Sequence, residues 1–306
     1  MINKYLFFCA VVLFLPAIVA CRKDYFQDDP WASLPKPESP DKEEQVDGVK
    51  ELEDADNIVV AHRGGSLEAG KQVYPDNSVA SLRYAISLGC YASEADIYWT
   101  KDNNVIVAHA DSECKINGVH PWEHDIEYIR SLGRLSNGET IPTLEEYIEV
   151  LLKESKCTRL WLDIKNITYP KVMSDEATKS CIRACEIITE MKANKIVEFI
   201  CTGNAEVMSK CSPVCFSSDI PIAWMSNRSP AEYRALGYSW ANLSQDYFDD
   251  GFHGGTRTVE EFKKAKITLS VYTVDKEEHM NYFIARKSDL KAISTNYPAK
   301  LLGKMK

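Results

Sequence analysis

The sequence predicts an α/β fold, a parallel (β/α)8 barrel of the TIM type in a single domain. Three observations support this prediction. Short apolar segments typical of strands alternate with amphipathic segments typical of helices about eight times. The strand segments are apolar throughout, as expected when both faces of a parallel sheet are buried. Polar side chains follow several of these segments directly, and barrel enzymes build their sites at the carboxyl ends of strands.

The chain length permits this fold. The 250 residues from 57 to 306 could form two domains, but one (β/α)8 barrel commonly has about 250 residues. A doubly wound open sheet is the alternative, and the polar residues at several strand ends favour the barrel. No Gly-x-Gly-x-x-Gly follows the first strand segment, which argues against a dinucleotide site.

Each strand is predicted from a short run of β-branched and other apolar residues. In order, the predicted strands are 58–61, 92–97, 105–108, 160–162, 196–201, 222–225, 240–243, 267–271 and 290–294. The turn-like segment 101–104 joins the second strand to the third, so these two strands are expected to pair.

Helices are predicted between these strands. Apolar residues recur at nearly helical period over 77–88, and Gly89 follows as a stop signal. Thr143 and Glu146 have the spacing of a capping box, which begins a helix that continues through Leu152. The remaining predicted helices are 176–191 and stretches near Ala205, Pro230, Val259 and Glu277.

Residues 1–20 have the pattern of an export signal. Lys4 provides a positive charge, and the apolar run 5–19 is shorter than the roughly 20 residues of a membrane span. Cys21 directly follows Ala20, which resembles the cleavage site of bacterial lipoproteins. That resemblance implies cleavage before Cys21 and its acylation, which would hold the protein on a membrane surface. An ordinary secretory signal with an incidental Cys21 is the alternative.

Residues 21–56 are rich in proline and acidic residues and have few large apolar side chains. Such a segment cannot bury enough surface to offset its ordering entropy, so a flexible tether is predicted. The expected organisation is therefore a signal over 1–20, a tether over 21–56 and a barrel over 57–306. The expected location is the bacterial cell envelope, facing the periplasm or the exterior.

Charge and cysteine content limit the partners. A net charge of −9 argues against nucleic acid as a ligand, and the sequence indicates no obligate protein partner. An exported chain permits disulfides, and buried free thiols are the alternative. Cys181 and Cys185 lie one helical turn apart, and Cys211 and Cys215 could flank a turn. Neither pair has the Cys-x-x-Cys spacing of a zinc site.

Two pairs of charged residues suggest a cation site. Glu94 and Asp96 are two residues apart on a predicted strand, so both side chains point to the same side. Two such carboxylates repel each other unless a cation or a proton lies between them. Asp163 and Lys165 repeat this spacing. The functional interpretation is a hard ion, Mg²⁺ or Ca²⁺, held by oxygen ligands. Structural ion pairs are the alternative.

Two histidines also follow predicted strands. His62 and Arg63 end the first strand, and His109 ends the strand at 105–108. Histidines can move protons near neutral pH, and the arginine fork suits phosphate oxygens. Together with the carboxylates and Lys165, these residues are the inventory for metal-assisted cleavage of a phosphate ester.

The motifs that contain these residues resemble those of a known family, the glycerophosphodiester phosphodiesterases. The resemblance covers residues 59–302 in family order. The matching segments are Ala61-His62-Arg63-Gly64, Pro75-Asp76-Asn77-Ser78, Glu94-x-Asp96, His109, Ile141-Pro142-Thr143-Leu144-Glu145-Glu146, Leu162-Asp163-Ile164-Lys165, Tyr272-Thr273-Val274-Asp275 and Ser294-Thr295-Asn296-Tyr297-Pro298.

The resemblance implies a barrel of the phospholipase C-like phosphodiesterase type and a metal-dependent enzyme. Members cleave glycerophosphodiesters to glycerol 3-phosphate and an alcohol. Matched by position, the resemblance implies that His62 and His109 are an acid/base pair and that Glu94, Asp96 and Asp163 bind one divalent cation, Mg²⁺ or Ca²⁺. It also implies that Arg63 and Lys165 contact the phosphate and that Tyr272 contacts the substrate.

Several positions depart from the family pattern. Asp163 replaces a glutamate, Tyr272 replaces a tryptophan, and Asn296 replaces an aspartate. Ala110 replaces the acid directly after His109, and Asp111 is a candidate substitute partner for this histidine. Two alternatives therefore stay open: a phospholipase C-like or D-like lyase acting on intact or inositol-containing phospholipids, and a lipoprotein that binds phosphodiesters without turnover.

Overall fold

The computed structural model describes residues 50–252 and 254–306. Eleven strands occur within these residues. In chain order they are β1 (Val59–Ala61), β2 (Leu67–Glu68), β3 (Lys71–Gln72), β4 (Ala92–Trp99), β5 (Val105–Val107), β6 (Arg159–Ile164), β7 (Val197–Cys201), β8 (Ile222–Trp224), β9 (Trp240–Ser244), β10 (Thr268–Tyr272) and β11 (Ala292–Thr295).

Eight of these strands close into a parallel barrel. The order of pairing is β1, β4, β6, β7, β8, β9, β10 and β11, and β1 pairs with both β4 and β11. Closure removes the exposed edges that an open sheet would leave. The (β/α)8 prediction is confirmed, and the open sheet is excluded. β5 pairs antiparallel with β4, as the turn at 101–104 predicted.

Nine α-helices occur in the described residues. They are α1 (Val79–Ser87), α2 (Ile126–Ser131), α3 (Leu144–Glu154), α4 (Ser174–Glu190), α5 (Ala205–Ser217), α6 (Pro230–Ala235), α7 (Val259–Ala265), α8 (Glu277–Ile284) and α9 (Pro298–Met305). The capping box predicted for α3 is present, with Thr143 accepting from the amide of Glu146. The sequence did not predict α2, α9 or the β2–β3 hairpin.

Large polar and aromatic side chains fill the barrel interior. The buried Trp161 donates from Nε1 to Glu198 Oε2 at 2.7 Å, and its ring lies 5.2 Å from that of Trp240. Lys291 Nζ lies 3.0 Å from Glu198 Oε1. This buried ion pair is compensated by hydrogen bonds, as buried charges require. Trp161 also lines the functional cavity, so this network forms its floor.

The predicted signal, the predicted acylation site Cys21 and most of the predicted tether lie outside the described residues. Residues 50–56 contain neither helix nor strand, and the Glu53 amide donates to the Lys156 carbonyl at 2.9 Å. The end of the predicted tether therefore contacts the barrel domain. Across the described part of the chain, no helix combines the length and apolar character needed to cross a membrane.

Candidate active site

The predicted site residues gather at the carboxyl ends of β1, β4 and β6. Asp96 and Asp163 are register partners on β4 and β6. His62 follows β1 directly. A cavity of about 280 Å³ opens here, and six of the predicted residues line it: His62, Arg63, Glu94, Asp163, Lys165 and Tyr272.

The three predicted carboxylates form one buried cluster. Oxygen atoms of Glu94, Asp96 and Asp163 lie within 4.8 Å of one another, and all three residues are at least 95% buried. Asp163 Oδ1 is buried and has no hydrogen-bond partner among the described residues. Three clustered carboxylates and an unpaired oxygen fit a hard divalent cation, which takes oxygen ligands.

Two cationic side chains accompany this carboxylate cluster. Lys165 Nζ lies 2.9 Å from Asp96 Oδ1 and 2.7 Å from Asp163 Oδ2. Arg63 Nε lies 3.3 Å from Asp96 Oδ2. The structural ion pairs considered from sequence are therefore present. Three carboxylates against two cations still leave one excess negative charge, so the ion pairs and a bound cation are compatible.

The carboxylates differ in how readily they ionise. Burial, together with the neighbouring charges of Asp96 and Asp163, raises the pKa of Glu94 well above its usual value. Burial also opposes the charge of Asp96, but Lys165 and Arg63 outweigh this effect and lower the pKa of Asp96. Burial likewise raises the pKa of Asp163. A cation bound among the three carboxylates would favour the ionised form of all of them.

His62 is held by a chain of hydrogen bonds. Asn296 Nδ2 donates to Asp275 Oδ2 at 2.6 Å, which leaves Asn296 Oδ1 to accept from His62 Nδ1 at 2.8 Å. His62 therefore carries its proton on Nδ1, and Nε2 lies 3.9 Å from Glu94 Oε2. Burial and then the charge of Arg63 lower the pKa of His62, against the effect of the Asn296 bond. The ring is neutral at neutral pH with a basic Nε2.

His109 is exposed and is not among the residues that line the cavity, although it is close enough to Asp96 and Arg63 to feel their charges. The preceding residue, Ala108, donates its amide to the Asp96 carbonyl at 3.0 Å. Partial burial lowers the pKa of His109, with Asp96 opposing and Arg63 reinforcing the shift. No residue in the described ranges hydrogen-bonds to its imidazole. Asp111 accepts instead from the amides of Glu113 and Lys115, both at 2.9 Å, so its Oδ1 shapes its own loop.

Asn77, in the segment 75–78, contributes to the site, although the sequence predicted no role for it. The buried Asn77 donates from Nδ2 to Asp96 Oδ2 at 2.8 Å and accepts from the Asp96 amide at 3.1 Å. This two-point contact fixes the Asp96 carboxylate. Asn77 has a φ of 58°, and asparagine tolerates this left-handed conformation better than most residues. The sequence feature that could have indicated this role is the family-like segment Pro75-Asp76-Asn77-Ser78, which contains Asn77.

Gly64 allows the loop after β1 to lie close to α1. Its φ is 86°, and a Cβ atom here would lie 2.3 Å from the Ser81 hydroxyl oxygen. The preceding Arg63 also has a positive φ of 53°. A non-glycine residue in this region is strained and is held by its surroundings. Here the Arg63 amide donates to Glu94 Oε2 at 2.9 Å, which ties the loop to the carboxylate cluster.

Apolar and aromatic side chains also line the cavity. They are Trp161, Ile200, Met225 and Tyr272, and the uncharged polar Asn242, Thr273 and Ser294 complete the lining. Burial raises the pKa of Tyr272 to about 12, so this phenol stays neutral. The cavity thus combines charged groups suited to a phosphate and a cation with apolar groups suited to the substituent on the phosphate.

Comparisons with known proteins agree with this geometry. Residues 62–300 match the glycerophosphoryl diester phosphodiesterase family. The chain is 25% identical over 253 residues to a glycerophosphodiester phosphodiesterase of Caldanaerobacter subterraneus subsp. tengcongensis, covering 80% of this chain and 96% of that one.

Two solved structures share the fold. One is a glycerophosphodiester phosphodiesterase from Parabacteroides distasonis, with a TM-score of 0.68, 24% identity, and coverage of 83% of this chain and 98% of the other. The second is an Oleispira antarctica phosphodiesterase in complex with the product sn-glycerol-3-phosphate, with a TM-score of 0.60, 19% identity, and coverage of 80% and 95%. The family match spans most of the sequence, and the chain belongs to the glycerophosphoryl diester phosphodiesterase family.

Proposed function

We propose that this protein is a phosphodiesterase that hydrolyses glycerophosphodiesters to glycerol 3-phosphate and an alcohol. Family membership supports the activity. The observation that carries the proposal is the coexistence, around one cavity, of a three-carboxylate cluster, two cationic side chains and a histidine with a basic Nε2. The name and product complex of two similar proteins agree with this substrate class.

Glu94, Asp96 and Asp163 would hold the divalent cation. When bound, the cation supplies Lewis-acid stabilisation of charge on the phosphoryl oxygens. Lys165 and Arg63 border the same carboxylates and would contact the phosphate. Arg63 offers a planar fork that matches two phosphate oxygens. Asn77 keeps the Asp96 carboxylate oriented, so the cluster is formed before substrate arrives.

The two histidines would move protons during two displacements at phosphorus. In the first, a glycerol hydroxyl next to the phosphate attacks phosphorus and gives its proton to Nε2 of His62. The bond from phosphorus to the leaving alcohol breaks, and His109 gives that oxygen a proton. In the second, water attacks the cyclic phosphate and gives a proton to His109, and His62 returns its proton to the released glycerol oxygen. Each histidine ends as it began.

The order of these roles rests on the contrast between the two rings. His62 is held with Nδ1 protonated and Nε2 basic, as a first-step base requires. His109 is exposed and has no hydrogen-bond partner in the described part of the chain, so it can follow a departing alcohol. An acid in contact with solvent also gives the leaving group a direct route out of the site.

Phosphorus NMR of the products tests this proposal against both alternatives. Full-length protein acting on glycerophosphocholine with Mg²⁺ or Ca²⁺ is expected to give glycerol 3-phosphate as the end product. Cyclic phosphate that persists as the end product would favour the lyase. Substrate that binds and stays intact under every divalent ion would favour a binding protein. Either of these last two results would overturn the proposed hydrolysis.

We also propose that the protein is an exported lipoprotein anchored through acylated Cys21 in the bacterial cell envelope. The apolar run at 5–19 and the position of Cys21 after Ala20 support this. Cys21→Ser in the full chain is expected to move the protein from the membrane to the soluble fraction and to abolish labelling by a fatty acid. Unchanged membrane retention without any lipid label would contradict the anchor.

A further inference from the structure

A second cluster of reactive side chains lies away from the active site, between α4 and α5. Cys181 and Cys185 are one turn apart on α4, and Cys211 and Cys215 are one turn apart on α5. All four are at least 98% buried. The two helices pack side by side, so each pair of thiols faces the other.

The sulfur atoms lie at distances typical of metal thiolate sites. The Sγ atom of Cys215 is 3.6 Å from that of Cys181 and 4.0 Å from that of Cys185. The three sulfurs lie within 4.8 Å of one another. Cys211 lies outside this group of three, and its thiol contacts those of Cys181 and of Cys201 on β7. With a zinc–sulfur bond of about 2.3 Å, the edge of a tetrahedron of four sulfurs is about 3.8 Å.

We propose that Cys181, Cys185, Cys211 and Cys215 form a binding site for a thiophilic d¹⁰ metal ion of the Zn²⁺ type. Four sulfur ligands in a closed and dry interface are typical of structural rather than catalytic zinc. The site is independent of the carboxylate cluster, whose oxygen ligands suit a hard ion. The expected role is to clamp α4 to α5 behind β6 and β7.

Metal binding should also change the number of bound protons. Each thiol that binds the metal loses one proton to solvent, so binding should release protons in proportion to the number of thiols ligated.

A disulfide is the competing explanation for close cysteines. Joining Cys181 to Cys215 would use two sulfurs and leave Cys185 and Cys211 as buried thiols in the same pocket. A metal uses all four. The eight cysteines in the described residues are free thiols. Cys90 and Cys114 are not in the group of close sulfurs, and Cys201 contacts it only through Cys211.

Cadmium titration of the reduced full-length protein tests the site, because cadmium–thiolate bonds give an ultraviolet charge-transfer band that oxygen ligands do not. We expect a thiolate band that saturates at one Cd²⁺ per chain and is displaced by excess Zn²⁺. Cys181→Ser/Cys215→Ser should abolish this band. Cys90→Ser/Cys157→Ser, which removes two other cysteines, should leave it unchanged.

Two measurements on the wild type keep the test independent of whether the variants fold. Zn²⁺ should protect the four cluster cysteines from alkylation in a peptide map, without protecting Cys114. A reduced wild-type protein that shows no thiolate band would overturn the proposal. A peptide map of the isolated, non-reduced protein that shows Cys181 joined to Cys215 would overturn it as well.

Discussion

Asn296 accepts a hydrogen bond from Nδ1 of His62 at 2.8 Å, and this bond determines which ring nitrogen of the histidine is basic. The amide is oriented by Asp275, which accepts from Asn296 Nδ2 and from the Asn296 backbone amide. The family pattern has an aspartate at position 296. In this chain the negative charge is on Asp275, which contacts Asn296 rather than the imidazole itself. The charge is therefore farther from His62 and stabilises its protonated form less.

Exchanging these two side chains should therefore change the pH dependence. Asp275→Asn/Asn296→Asp keeps one amide and one carboxylate but moves the charge next to His62. An adjacent carboxylate stabilises imidazolium and raises the histidine pKa. A base must be deprotonated to act, so the acidic limb of the kcat/KM profile should move to higher pH by about one unit. An unshifted limb would mean that His62 is not the titrating base.

The raised pKa of Glu94 predicts a stability effect in metal-free protein. A carboxyl whose folded-state pKa exceeds its unfolded value contributes stability that is complete below about pH 4.3 and is lost as the pH rises through the folded value. Glu94→Gln cannot ionise. With EDTA present at neutral pH, it should raise Tm by about 2–4 °C, the shift expected for about 1 kcal/mol in a chain of this size.

Calorimetry at two pH values checks this effect. The Tm difference between Glu94→Gln and wild type should shrink at pH 4, where both side chains are uncharged. The exposed Glu113→Gln serves as the control and should differ little from wild type at either pH. A Glu94→Gln variant less stable than wild type at neutral pH would contradict the raised pKa.

Removing the charge of Asp163 should abolish stabilisation by a hard divalent cation. A ligand at 100 times its dissociation constant stabilises a protein by about 2.7 kcal/mol. Saturating Ca²⁺ or Mg²⁺ is therefore expected to raise the wild-type Tm by several degrees and to leave Asp163→Asn unchanged. The control is the exposed Asp111→Asn, which should respond like wild type. An equal response of Asp163→Asn would place the cation elsewhere.

The strands and the residues that line the site could be predicted because each is indicated by residues adjacent in sequence. The apolar run at 58–61 and the polar pair His62 and Arg63 are adjacent in sequence, and parallel strand ends meet at one face of a barrel. All the strands predicted from apolar runs occur, with small differences at their ends.

The supporting contacts could not be predicted from local patterns. Asn296 reaches His62 across 234 residues because β11 pairs with β1 when the barrel closes. The cysteine cluster likewise depends on how α4 packs on α5. Cys211 and Cys215, which could have flanked a turn, lie within α5, and neither cysteine pair alone shows which helices meet. Contacts that depend on barrel closure or on helix packing can be identified only from the three-dimensional structure.

Phosphodiester hydrolysis at this cavity, with His62 as the base, is tested by release of glycerol 3-phosphate from glycerophosphocholine. The rate is compared between full-length wild type and His62→Ala. His124→Ala is the matched control, since its ring stacks on Tyr128 outside the cavity.

We expect the wild type to turn over with Mg²⁺ or Ca²⁺ and EDTA to abolish this turnover. His62→Ala should lose about 10²–10⁴-fold in kcat, and His124→Ala should turn over at near the wild-type rate. Folded His62→Ala protein that turns over at close to the wild-type rate would contradict it.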